Sequence, residues 1–102
     1  MTKAYEKVAA GWTQWAGAKD AEGKATYVDD PTATCWCAEG AINACYINPI
    51  PTMVKLRDHL CMYEGVDKEL ATHDPTIAIN SWNDHPSRTQ AEVVGVLRRL
   101  DI

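Results

Sequence analysis

Apolar residues recur at helical spacing in several stretches of the chain. Tyr5, Val8, Trp12 and Trp15 fall at i, i+3, i+7 and i+10, which is one helical face. This predicts a first helix over residues 2–17, with Thr2 as N-cap and Gly17, then Asp20-Ala-Glu-Gly23, ending it. Residues 18–33 lack that period. Thr26-Tyr27-Val28 carries β-type residues and predicts a short extended segment, broken by Asp29-Asp30-Pro31. So long a non-helical stretch in a small domain marks a candidate functional loop.

A second helix is expected over residues 32–46, capped by Asp30 or Thr32 with Pro31 at its first position. Cys37, Ala41, Ala44 and Cys45 would give it a face of small side chains, with Gly40 beside the contact. Asn48-Pro-Ile-Pro51 reads as a turn. Met53, Leu56, Leu60 and Tyr63 then form the stripe of a third helix over 52–64, stopped by Gly65. Asp74-Pro75 is an N-cap with Pro at the first helical position, opening a short helix through about Trp82, although Ile77 and Ile79 also fit strand alternation. After the turn Asn83-Asp84-His85-Pro86, Thr89 with Glu92 makes a capping box for the last helix, with Ser87 and Gln90 as the competing pair. Val93, Val96, Leu97 and Leu100 form its buried face, and Arg98-Arg99 suits its C-terminal dipole.

The fold expected from this pattern is all-α or mainly α. It is a single helical domain over 1–102, with four to five short helices around one core and at most a minor β element near residues 26–28. Val8, Trp12, Trp36, Ala41, Leu56, Leu60, Trp82, Val93 and Leu97 are the expected core.

Composition changes this picture little. With 46% hydrophobic and 24% charged residues the chain is globular rather than disordered. Phe is absent, and four Trp and four Tyr supply the aromatic volume; a buried Trp needs a partner for its N–H. A net charge of -4 argues against direct nucleic-acid binding, which needs clustered Lys and Arg. Lys55, Arg57, Arg88, Arg98 and Arg99 read as ordinary charged helix faces. No apolar run approaches a membrane span and no signal peptide is evident, so a cytoplasmic protein with reduced thiols is expected.

Three clusters stand out: Trp12-Thr-Gln-Trp15-Ala-Gly17 with Asp20-Ala-Glu-Gly23; Trp36-Cys37-Ala-Glu-Gly40-Ala41; and Trp82-Asn83-Asp84 with Arg88-Thr89 and Glu92-Val93. Their order and spacing resemble an uncharacterised family of small bacterial and bacteriophage proteins, known only as a domain of unknown function. The resemblance covers nearly the whole chain. It implies a bacterial or phage source and transfers no activity.

Three constellations invite chemistry and are outweighed by plainer roles. Cys35, Cys37, Cys45 and Cys61 with His59 suggest zinc, but Cys35 and Cys37 would point about 200° apart on a helix. No metal or other cofactor is therefore expected. Cys37 with His59 or His85 suggests a nucleophile, but an apolar, small-residue helix does not activate a thiol. Asp20, Glu22, Gly23 and Asp29 fall at positions three, five, six and twelve of a calcium loop, whose first position would be the non-ligating Ala18.

The Trp82-Asn83-Asp84 corner is the stronger candidate. The structural alternative is that Trp82 anchors the turn while Asn83 or Asp84 caps the last helix or pairs with Arg88; it is preferred to an exposed recognition corner. The expected binding residues are Trp82, Asn83, Asp84 and Arg88, with Asp20, Glu22, Asp29 and Asp30 on the loop, and no catalytic set. The leading expectation is a non-catalytic accessory protein that binds another protein, with a host protein such as a defence component among the candidates. An enzyme with an acid/His pocket from Asp84, His85 and Asp29 is one alternative, and a self-associating structural protein, a homodimer, is the other.

Overall fold

Helix α1 spans only Ala4–Ala10. At Gly11 the chain leaves the helix in an extended conformation and runs beside a strand that follows much later. The approach there is so close that a Cβ on Gly11 would lie 2.2 Å from the Thr34 carbonyl oxygen. Trp36 N–H donates to Gly11 O at 2.9 Å and Thr13 N–H donates to Trp36 O at 3.2 Å, forming a parallel bridge between Trp12 and Trp36. Backbone pairing distant in sequence thus overrides the helical period that carried the expected first helix to residue 17.

The computed structural model describes residues 2–71 and 73–102. Among them, strands β1 (Ala18–Asp20), β2 (Ala25–Thr26) and β3 (Ala33–Trp36) form an antiparallel sheet in the order β2-β1-β3. Helices α2 (Ala38–Cys45), α3 (Ile50–Tyr63), α4 (Pro75–Asn83) and α5 (Gln90–Arg99) follow, with a 3-10 turn at Lys68–Ala71. The fold is therefore α+β, which corrects the all-α expectation.

The β1–β2 turn is built by Asp20, whose Oδ1 accepts from Glu22 N–H and Lys24 N–H at 2.9 and 3.0 Å, while Gly23 takes φ +82°. Residues 33–36, expected as the start of the second helix, are strand instead. Asp30 does not cap that helix. Its Oδ1 accepts from the backbone and hydroxyl of Thr32, and these bonds hold its carboxyl below the usual range. The helix begins after Cys37, whose Sγ accepts from Gly40 N–H at 3.2 Å.

The C-terminal half follows its local signals. Asp74 caps α4 through Thr76 N–H, and Pro75 opens that helix. Thr89 and Glu92 close the capping box of α5 in both directions. The Thr89 hydroxyl, then its N–H and Arg88, hold the Glu92 carboxyl low. Helix α3 starts two residues earlier than expected, and Tyr63, placed on its apolar stripe, is exposed.

Helix α1 packs on α5 and α2, α3 on α4, and β3 under α1. One core joins Val8, Trp36, Ile42, Met53, Leu56, Leu60, Ile79, Trp82, Val93 and Leu97. Trp12, also expected there, is only partly buried against it. No helix among the described residues is long and apolar enough to cross a membrane.

Gly40 faces Gly17 so closely that a Cβ on it would sit 1.9 Å from the Gly17 carbonyl oxygen. Gly40→Ala should therefore lower stability by about 1–3 kcal/mol or more, since backbone cannot yield as a side chain does. Gly95 lies within α5 with open space around its Cβ position, so Gly95→Ala should raise stability by about 0.5–1 kcal/mol. Urea titrations of the pair check both signs.

Candidate functional site

Asn83, the last residue of α4, is fully buried, and its amide is fully used. Oδ1 accepts from Trp12 Nε1–H at 2.9 Å and from Ala38 N–H at 3.1 Å. Nδ2 donates to Thr13 O at 3.1 Å and to Asp84 Oδ1 at 3.0 Å. It therefore caps α2, not the last helix as expected, and fastens the Trp12–Gly17 segment to both helices.

Asp84 does not pair with Arg88 either. Its Oδ1 also accepts from Trp15 N–H at 3.0 Å. Gln14 Nε2 donates to the carbonyls of Asn83 and His85 at 3.0 and 2.9 Å. Held this way, Trp15 adopts φ +68° and leaves its side chain 74% exposed. A bulky residue in the left-handed region costs about 1–2 kcal/mol, which the surrounding bonds must offset.

Between these elements lies a cleft of about 200 Å³ lined by Trp15, Ala16, Gly17, Cys37, Glu39, Asn80 and Asp84. Glu39 Oε2 accepts from Asn80 Nδ2 at 3.0 Å across it. Cys37 is 3% exposed on the cleft wall. Burial, with the negative charges of Glu39 and Asp84 adding to it against the Gly40 N–H, pushes its thiol up to about 11. A thiol held so high keeps its proton at pH 7, and its sulfur accepts from Gly40 N–H at the start of α2.

Parts of the three clusters singled out in the sequence thus meet at one corner: the Trp12–Gly17 segment, Cys37 with Glu39, and Asn83 with Asp84. The chain matches the Family of unknown function (DUF6197) over residues 4–100. The chain belongs to that family. No curated protein and no solved structure matches it. Within this member of the family, the expected binding residues divide among several places.

Asp84 lines the cleft, and Asn83 is buried behind it with its amide on Asp84. Trp82 is 2% exposed on the other side of α4, with the Arg88 guanidinium 4.7 Å above its ring. Arg88 donates to Trp82 O and to Glu92, holding α5 in place. Trp82 Nε1 lacks a hydrogen-bond partner among the described residues, unlike the indoles of Trp12 and Trp36, the latter donating to Val28 O at 3.0 Å. Asp20 and Asp30 are spent on turns, Glu22 sits 4.0 Å from Lys24 on the hairpin, and Asp29 lines a separate groove with Tyr27, Asn43 and Ile47. None of these four lines the cleft.

Sequence reasoning missed Gln14, Glu39 and Asn80 and left Trp15 without a role. Trp15 carried the only available signal, a large apolar residue in a Trp-rich motif directly before Ala-Gly. The other three are polar residues whose proximity arises only from the fold.

Asn83→Ala should strand Trp12 Nε1, Ala38 N–H and Thr13 O, at about 1–3 kcal/mol each where water does not reach. A loss of at least about 3 kcal/mol in denaturant unfolding is expected. Cys37 makes a second test. Above pH 9 an unfolded thiol ionises while the folded one, at about 11 against 9.0, keeps its proton. Stability should then fall between pH 9 and 11 by about 2–3 kcal/mol. Cys37→Ala should show a correspondingly shallower decline across that window.

Proposed function

We propose that this protein is a non-catalytic recognition module that binds a partner protein through the Trp15 cleft. The observation that carries this reading is Trp15 itself, an indole 74% exposed on a residue at φ +68°. Folding gains nothing from an exposed aromatic ring in a conformation that glycine adopts without strain. Such strain concentrates at binding and catalytic sites, and Trp is enriched among residues that dominate interfaces.

The chemistry of the cleft favours binding over reaction. Its thiol is neutral and buried. The acid/His trio of the enzyme alternative is dispersed: Asp84 lines the cleft, Asp29 lines the other groove, and His85 Nδ1 is engaged by Ser87. A bacterial or phage setting, with a host protein as the partner, belongs to this proposal through the family resemblance.

The test is a quantitative pull-down from bacterial lysate with wild type, Trp15→Ala and Trp15→Gly. A stoichiometric partner should be captured by wild type and reduced at least about tenfold in both variants, the loss of a single aromatic hot spot. Trp15→Gly should keep its stability within about 1 kcal/mol of wild type, because relief of φ strain offsets the added freedom of the unfolded chain. Capture that ignores Trp15 would overturn the proposal.

A further inference from the structure

The cleft holds two carboxylates and no cation. Glu39 and Asp84 both line it, and among the described residues no Lys, Arg or His does. Among the described residues neither carboxylate forms an ion pair. Each has one oxygen committed inside the protein, Glu39 Oε2 to Asn80 and Asp84 Oδ1 to Trp15 and Asn83. Oε1 of Glu39 and Oδ2 of Asp84 carry no hydrogen bond from the described residues, and Asn80, donating through Nδ2, retains Oδ1 as an acceptor. Trp15 lines the same cleft and is 74% exposed.

These are acceptors, negative charge and an aromatic face around a space of about 200 Å³. That is below the usual small-molecule pocket of about 300–1,000 Å³ and suits a single side chain. A metal ion is a poor match, since no group of three or more His, Cys, Asp or Glu among the described residues is arranged to hold one. An ammonium is a compact, strongly hydrated charge with three donors. A guanidinium is planar, weakly hydrated, offers five donors along its edge and stacks on an indole face.

We infer that the cleft takes the guanidinium of an arginine side chain on the partner protein, its edge on Glu39 and Asp84 and its face against Trp15. This rests on the recognition reading above and names its ligand chemistry. The net charge of -4 favours approach of a basic segment.

The test is NMR titration of the ¹⁵N-labelled full chain with N-acetyl-arginine amide, N-acetyl-lysine amide and N-acetyl-citrulline amide at matched concentrations. Citrulline keeps the shape of arginine without its charge. The arginine amide should give saturable shifts at the Trp15 indole N–H and the Asn80 side-chain amide. It should bind several-fold more tightly than the lysine amide, and the citrulline amide should give no saturable shift. Glu39→Gln, with an otherwise unchanged spectrum, should weaken arginine binding about tenfold, the scale of one lost charge-assisted bond. No response to arginine, an equal response to citrulline, equal or tighter lysine binding, or an indifferent Glu39→Gln would each overturn the inference. A lysate partner that needs Trp15 but ignores Glu39→Gln and added arginine amide would remove the guanidinium while leaving the recognition reading in place. Capture independent of Trp15 would remove both.

Discussion

The buried amide of Asn83 holds the corner together. It sits where α4 ends, α2 begins and the chain after α1 passes between them. Two donors and a doubly accepting oxygen on one short side chain meet two N–H groups, a carbonyl and a carboxylate there. Aspartate lacks the donors, leucine lacks every bond, and glutamine carries its amide one carbon too far. In a low-dielectric interior such a network rigidifies only when every member is satisfied, and each polar position of this amide is occupied. Asp84 is fixed by its neighbour's amide, and through Asp84 the backbone of Trp15 is fixed as well.

The close contact of Gly17 with Gly40 is the second half of the same arrangement. Cys37 N–H donates to Gly17 O at 3.1 Å, and the absence of a side chain on Gly40 lets the two backbones touch. The Trp12–Gly17 segment is thus pinned at Trp12 and Thr13 by Asn83, at Gln14 by the α4 terminus, at Trp15 by Asp84 and at Gly17 by α2. A segment held at five successive points can keep one residue in a costly conformation. It fixes the backbone from which the Trp15 side chain projects, and under the proposed recognition that leaves less to be ordered on binding.

The legible parts of the fold are those specified locally. Asp74-Pro75 and Thr89 with Glu92 announce their helices within four residues of sequence, and α4 and α5 begin where those signals stand. Met53, Leu56 and Leu60 mark the buried face of α3 in the same way. The N-terminal third was misread because its structure depends on partners far along the chain. Tyr5, Val8, Trp12 and Trp15 keep a helical period, but Gly11 pairs with β3 across more than twenty residues. Ala33–Trp36, rich in small residues, has no β-branched run to betray a strand beyond Thr34. The site divides likewise. Trp82-Asn83-Asp84 was visible as a motif, whereas Glu39 and Asn80 become neighbours only after α2 and α4 dock.

Under the proposed recognition Asp84 would carry two duties that no single truncation can separate. Its Oδ1 belongs to the fold, accepting from Asn83 and Trp15, while its Oδ2 takes no hydrogen bond among the described residues and the residue lines the cleft. Asp84→Ala would release the Trp15 backbone and remove the charge together, so a loss of binding would not say which mattered. Glu39 and Trp15 are better separated. The Glu39 carboxylate bonds one partly buried amide, which a glutamine can also accept from, and its other oxygen takes no hydrogen bond among the described residues. The Trp15 ring contributes little burial, being largely in solvent, while its backbone is fixed by bonds that any residue supplies. The corner is therefore structural through Asn83, and the recognition proposed for it rests on the neighbouring Trp15 and Glu39.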